Sequence, residues 1–169
     1  MSSQQVAVCV PEKLEEWLPL MEVAAKEVFA QMVDSQLSLP EAPSPIVANI
    51  TAMVGLAGAL TGVMSVRCEE EAAALITSRM LGINVQDAMA SLSDALGEIC
   101  NMVAGNFKFK IPGLGDGCFL SPPTVVRGGD YEVHARPSIP RIHLRLLLEN
   151  MPLMISLYVS GANGRLKRN

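Results

Sequence analysis

Between Met89 and Val103, apolar residues recur every three or four positions, and this spacing constrains the fold more than any other feature of the chain. At 100° per residue, the spacing places these side chains on one side of an α-helix. The predicted apolar stripe comprises Met89, Leu92, Leu96, Ile99 and Val103. The pattern predicts an amphipathic helix over about residues 85–105, with this stripe packed against another layer of the protein.

A second row on the same helix is polar and lies about 200° from the apolar stripe, given 3.6 residues per turn. It contains Ser91, Asp94, Glu98 and Asn101. Glu98 and Asn101 are spaced i, i+3, so their side chains are neighbours on the outer face of the helix. Such a pair is most often a solvated helix surface. A functional role therefore needs further support from the sequence.

A third row on this helix contains only small residues, namely Ala90, Ser93, Gly97, Cys100 and Ala104. Gly97 costs a helix interior about 1 kcal/mol relative to alanine, so another interaction should offset it. The row predicts either the close approach of another backbone or open space beside Glu98 and Asn101.

The composition predicts one ordered domain over residues 1–169 with an aliphatic core. Half of the residues are hydrophobic, 18% are charged and only 4% are aromatic. The positive mean hydropathy also suggests apolar surface buried between subunits. The net charge of −4, with scattered basic residues, argues against nucleic acid as a partner, because phosphate neutralisation needs a concentrated basic face.

Several other classes of protein are not supported by the sequence. Cys9, Cys68, Cys100 and Cys118 lack metal-binding spacing and resemble the reduced thiols of a cytoplasmic protein. His134 and His143 have no nearby cysteines and few acids, so no metal site is expected. No signal peptide is evident and no run of about 20 apolar residues exists, so we expect no membrane insertion.

The order of elements predicts an α+β fold in which helices cover an antiparallel β-sheet. We expect an N-terminal helix over about 12–32, with a break near Pro19, and a proline-rich linker over about 36–45. Two strands with a glycine-rich turn follow, then a helix over 69–81 that Gly82 ends, and then the helix over 85–105. Four strands complete the chain, the last two as a hairpin. The run Leu146, Leu147 and Leu148 predicts burial on both sides of its strand.

Residues 96–105 (LGEICNMVAG) resemble the active-site helix of the CheX/CheC/FliY family of chemotaxis phosphatases. The family signature is an acidic residue or serine, three spacers, Glu, two spacers, Asn, and a proline somewhat more than twenty residues later. Asp94, Glu98 and Asn101 match the first three positions. Pro122 and Pro123 follow Asn101 by 21 and 22 positions, one or two residues short of the usual gap, so their role stays open.

The resemblance implies a phosphatase that hydrolyses the aspartyl phosphate of a CheY-like response-regulator receiver domain. Asn101 would position the attacking water and Glu98 would pair with the receiver lysine. Asp94 would either add docking contacts or be only a charge on the helix surface. The receiver would supply Mg²⁺, and no cofactor of the chain's own is expected. With a single Glu-x-x-Asn helix, the chain resembles the CheX branch, whose members form homodimers through the sheet. The alternative is a CheX-like module that binds a receiver domain, or another signalling partner, without turnover.

Overall fold

The computed structural model describes residues 13–43, 45–129 and 131–162, and in this part of the chain three α-helices cover one face of a seven-stranded antiparallel sheet. The helices are α1 (Leu18–Met32), α2 (Glu70–Leu81) and α3 (Leu92–Lys110). The strands are β1 (Leu37–Ser38), β2 (Ile50–Gly58), β3 (Leu60–Cys68), β4 (Cys118–Leu120), β5 (Thr124–Arg127), β6 (Arg141–Leu148) and β7 (Met151–Ala162). The predicted α+β class is confirmed.

The sheet has the order β1-β6-β7-β3-β2, and the outer edge of β2 is shared by β4 and β5. β4 pairs with the last three residues of β2, and β5 pairs with its first four. Ser121 closes the gap between them: its N–H donates to the Gly55 carbonyl at 2.9 Å, and its Oγ accepts the Gly55 N–H at 2.8 Å. Pro122 and Pro123 lie in this gap, where strand pairing is interrupted and their missing N–H groups cost little.

Alternate residues of the four long strands face the helices and form the aliphatic core. Representative buried side chains on this face are Val54, Leu56, Met64, Val66, Leu144, Leu146, Ile155 and Leu157. From the helices, Met21, Phe29, Leu96 and Ile99 are fully buried against them. The core contains few aromatic rings, as the composition indicates, and Trp17 packs edge-on against Phe107 to join the start of α1 to the end of α3.

The hairpin formed by β6 and β7 confirms the prediction for this part of the chain. Glu149 and Asn150 have φ values of 48° and 70°, the left-handed conformations that a tight two-residue turn requires. Leu146 and Leu148 are buried beneath the helices, whereas Leu147 points to the opposite face and is only half-buried. The predicted burial on both sides of this strand is therefore only partial.

The boundaries of α3 differ from the prediction at both ends. Residues Asp87–Ser91 form a separate 3-10 helix, and the backbone of Ser91 (φ −112°, ψ 8°) departs from helical geometry, so the α-helical periodicity starts at Leu92 and the apolar stripe does not extend back to Met89. Met89 is 43% exposed, and its inclusion in the stripe was wrong. At the other end α3 continues to Lys110, because the burial of Phe107 and the bonds of Asn106 to α1 support another turn after Gly105.

The N-terminal boundaries also differ in detail. A 3-10 turn over Leu14–Trp17 precedes α1, and Pro19 lies in the first turn of α1, where its missing N–H is tolerated. The predicted break near this proline corresponds to the change from 3-10 helix to α-helix between Trp17 and Leu18. Within the expected linker, Leu37 and Ser38 form the short strand β1 beside the end of β6, because the Leu37 side chain is buried. Helix α2 ends at Gly82, with φ of 65°, as the sequence predicts.

Candidate active site

The solvent-facing side of α3 is a continuous row that we call the outer ridge: Asp94, Glu98, Asn101, Gly105 and Phe109. The steps of four and three residues keep these positions on one side of the helix. Asp94, Glu98 and Phe109 are exposed, while Asn101 and Gly105 are half-buried. The opposite side, with Leu92, Leu96, Ile99 and Val103, is fully buried against the sheet.

Glu98 and Asn101 lie next to one another on the outer ridge, as their spacing predicts. Among the residues that the structure describes, neither side chain forms a hydrogen bond or an ion pair, and the same holds for Asp94. The pair therefore presents two carboxylate oxygens and a carboxamide, which is both donor and acceptor, to an incoming molecule. This arrangement suits the orientation of a small polar group such as water, rather than the support of the fold.

Pro123 packs directly against the small-residue side of α3. A Cβ placed on Gly97 would lie 3.2 Å from both Cβ and Cγ of Pro123, and 3.5 Å from Cγ2 of Val125. The close approach that the small-residue row predicts is therefore present, with the chain before β5 as the neighbour. Nothing local to α3 identifies Pro123 as this neighbour, because the contact depends on how β4 and β5 divide the edge of β2.

The thiol of Cys100 lies on the buried side of α3 and takes no part in the outer ridge. Its sulfur is 3.6 Å from the carbonyl oxygens of Ala52 and Met64 on the sheet. Burial raises the pKa of this thiol to about 12, so the nucleophilic thiolate is scarce at neutral pH. Cys68, Cys100 and Cys118 are free and buried, as expected for thiols used in packing, while Cys9 lies outside the described residues.

The last turns of α3 are fixed to α1 by polar contacts. The Asn106 amide donates to the Ala24 carbonyl at 3.3 Å and to the Glu27 carboxylate at 2.7 Å. Lys110 also binds Glu27, and hydrogen bonds from Lys110 and Asn106 lower the pKa of Glu27. These contacts, with the packing of Phe107 on Trp17, hold the helix and its ridge in one position.

The histidines that the sequence singles out lie away from the outer ridge. His134 contacts Glu132 in the loop before β6, and His143 contacts Ser156 on the sheet face opposite the helices. Within the described ranges, no three metal-binding side chains of His, Cys, Asp or Glu lie close together. None of the helices in that part of the chain is long and apolar enough to cross a membrane.

The outer ridge also contains a residue that the sequence reading did not single out. Phe109 is 65% exposed, although Phe107, two positions earlier, is fully buried. The signal was present in the spacing, since Phe109 follows Gly105 by four positions. It was missed because the predicted helix ended at Gly105.

Comparisons with known proteins identify the family. A sequence model described as "Chemotaxis phosphatase CheX" matches residues 50–147, more than half of the chain and all of the outer ridge. The CheY-P phosphatase CheX of Thermotoga maritima is 28% identical over 102 residues, which are 60% of this chain and 66% of the relative, somewhat less than two thirds of its length.

Solved structures show the same fold. A chemotaxis protein CheX from Desulfovibrio desulfuricans superposes with a TM-score of 0.72 at 21% identity, covering 86% of this chain and 99% of the other. A CheX–CheY–BeF₃–Mg²⁺ complex from Borrelia burgdorferi gives a TM-score of 0.69 at 18% identity, covering 86% and 98%. With its antiparallel sheet, its helical layer and its match to the family model, this chain belongs to the chemotaxis phosphatase CheX family.

Proposed function

We propose that this chain is a phosphatase that hydrolyses the aspartyl phosphate of a CheY-like receiver domain. The observation that carries the proposal is the placement of Glu98 and Asn101 on the exposed side of α3, with no partner among the described residues. The named relative from Thermotoga maritima and the CheX–CheY complex from Borrelia burgdorferi support the same activity and partner.

Asn101 acts by positioning. In the reaction, the water oxygen bonds to phosphorus while the bond from phosphorus to the receiver aspartate oxygen breaks, releasing inorganic phosphate and a free carboxylate. An amide cannot remove a proton at neutral pH, but its oxygen can accept a hydrogen bond from the water and its NH₂ group can donate one. Holding the water in line with the breaking bond lowers the barrier through orientation and electrostatics.

Glu98 anchors the two proteins. Its exposed carboxylate is an acceptor that pairs with the lysine beside the receiver phosphoryl group, which sets the position of Asn101 relative to phosphorus. Asp94, one turn earlier on the ridge, adds a docking contact. The receiver supplies Mg²⁺, and the chain brings no cofactor of its own. A cytoplasmic setting agrees with the free thiols of the described cysteines.

Loss of acyl phosphate from labelled receivers tests this function. Asn101→Ala should retain receiver binding and lose about 10²–10³ in rate, by analogy with the loss of one oriented amide donor. Glu98→Ala should lose affinity and rate together, because its contact is made before and during the reaction. The matched controls Asn84→Ala and Glu71→Ala change the same residue types at exposed positions away from the ridge.

Two outcomes contradict the proposal. If Asn101→Ala removes acyl phosphate as fast as the unaltered protein, the water-positioning mechanism is wrong. If the unaltered protein binds activated receivers without accelerating phosphate loss, the chain is instead a binding module.

We also propose a homodimer formed through the sheet. In the described part of the chain, no strand pairs with the outer edge of β6 over residues 141–144, since β1 covers only Leu147 and Leu148. An unpaired edge of this kind readily accepts a second strand. Light scattering at tens of micromolar should give the mass of two chains, and a mass of one chain would contradict the proposal.

A further inference from the structure

Phe109 is a large apolar side chain placed on the same ridge as the two site residues. It follows Asn101 by eight positions, which corresponds to about 12 Å along the helix axis. The ring is 65% exposed, although aromatic residues make up only 4% of the chain. Isolated exposed apolar residues are common on protein surfaces, so the surroundings of this ring decide whether it has a role.

The Phe109 ring is held in one place by the turn that follows α3. A Cβ on Gly115 would come within 2.5 Å of the ring, so glycine there allows the backbone to lie against it. The Lys108 ammonium lies 4.8 Å from the ring centroid and donates to the carbonyls of Gly115 and Cys118 at 2.8 and 2.7 Å. The ring is thus packed on one side and open to solvent on the other. A side chain ordered in this way loses less conformational freedom when a partner covers it.

The distance from Asn101 fits a single interface. A standard protein interface buries about 800 Å² on each partner, which corresponds to a disc with a radius of roughly 16 Å. A partner centred on Asn101 therefore also covers Phe109. Exposed aromatic residues that become buried in an interface are frequent hot spots of binding energy.

We propose that Phe109 is a binding anchor for the receiver domain, which meets it with an apolar patch on the surface beside the phosphoryl group. The inference rests on the proposed function, because it assigns the same partner to a larger part of the ridge. Glu98 and Asn101 would then recognise the reacting group, while Phe109 would recognise the receiver surface beside it.

A pair of matched phenylalanine variants tests the anchor. Phe119 on β4 is 69% exposed, but strand alternation points it away from the helices, since its neighbours Cys118 and Leu120 face α3. Purified CheY-type receivers activated with beryllium fluoride and Mg²⁺ serve for titrations, and phosphorylated receivers serve for turnover. Phe109→Ala should raise Kd and KM about tenfold or more and leave kcat within about twofold, as expected for lost hot-spot binding. Phe119→Ala should change none of these values, and Phe109→Leu should restore part of the affinity.

The outcomes separate this inference from the proposed function. If the unaltered protein hydrolyses the acyl phosphate and Phe109→Ala has unchanged Kd and KM, the anchor is wrong and the phosphatase stands. An equal loss in Phe109→Ala and Phe119→Ala also overturns the anchor, because the effect is then not specific to the ridge. If no receiver binds to the unaltered protein, the anchor and the proposed function both fail.

Discussion

Two glycines of α3, Gly97 and Gly105, allow the contact between this helix and Pro123 to be measured. The measurement is the difference in stability between the alanine variants at the two positions. Both lie inside the helix, so replacement by alanine gains about 1 kcal/mol of helix propensity at either position. Their surroundings differ. At position 105, the new methyl group would meet only Leu120 Cδ1, at 3.9 Å. At position 97, it would lie 3.2 Å from two ring carbons of Pro123.

The contact at Gly97 cannot relax easily. Pro123 is a rigid ring between β5, which pairs with β2, and Ser121, which makes two hydrogen bonds to Gly55. Overpacking at such a site costs about 1–3 kcal/mol, which offsets or exceeds the gain in propensity. We expect Gly105→Ala to stabilise the protein by about 1 kcal/mol and Gly97→Ala to range from neutral to about 2 kcal/mol destabilising.

Equilibrium unfolding in urea, followed by circular dichroism, gives both values if the two variants share one m-value. For a domain of this length, Gly105→Ala should raise Tm by about 2–4 °C. If Gly97→Ala is stabilised as much as Gly105→Ala, Pro123 does not press on the helix and the explanation for the glycine is wrong.

Three further predictions follow from burial and charge. Leu96→Ala should cost about 2–5 kcal/mol in urea unfolding, because Leu96 is fully buried, and a loss below about 1 kcal/mol would contradict its core position. Desolvation and the nearby Arg141, Arg145 and Arg67 lower the pKa of His143 in the folded state. As the pH falls, His143 is therefore protonated in the unfolded chain before it is protonated in the folded one. The free energy of unfolding should be highest above the unfolded pKa of about 6.5 and should decrease as the pH falls through it. His143→Gln should flatten the dependence of the free energy of unfolding on pH between about pH 7 and 5, measured by urea unfolding across that range. An unchanged slope would refute this assignment. Burial raises the pKa of Cys68 and Cys100 to about 12, so peptide mass spectrometry should find both unmodified after iodoacetamide treatment of the folded protein and modified after unfolding.

The sequence was sufficient to predict the outward-facing side of α3, because helical periodicity is local. Leu92, Leu96, Ile99 and Val103 are buried and Glu98 is exposed, as their spacing requires. The start of the helix was predicted less well, since the change from a 3-10 to an α geometry before Leu92 is not visible in the spacing of Met89. The roles of Glu98 and Asn101 remain predictions for the assays above.

The sheet order and the contacts that depend on it could not be predicted in the same way. The segments of β4 and β5 were recognisable as strands, but not as two parts of one edge beside β2. The position of Pro123 against Gly97 follows from that division, so this contact could not be predicted from the residues of α3. Pairing between distant segments depends on the whole core, while the sequence pattern reports on each segment separately.

The central place of β7 in the sheet bears on how the protein is made. β7 is the last strand in the described chain, yet it pairs on both sides, with β3 and with β6. Met64 faces Leu157 across this pairing, more than 90 residues later in the chain. Contacts so distant in sequence form slowly, and a ribosome delivers β7 after all three helices. Until it arrives, β3 has an open edge and the helices lack a complete sheet on which to dock. The apolar side of α3 is therefore exposed to chaperones, or to aggregation, while the residues between Lys110 and β7 are being made.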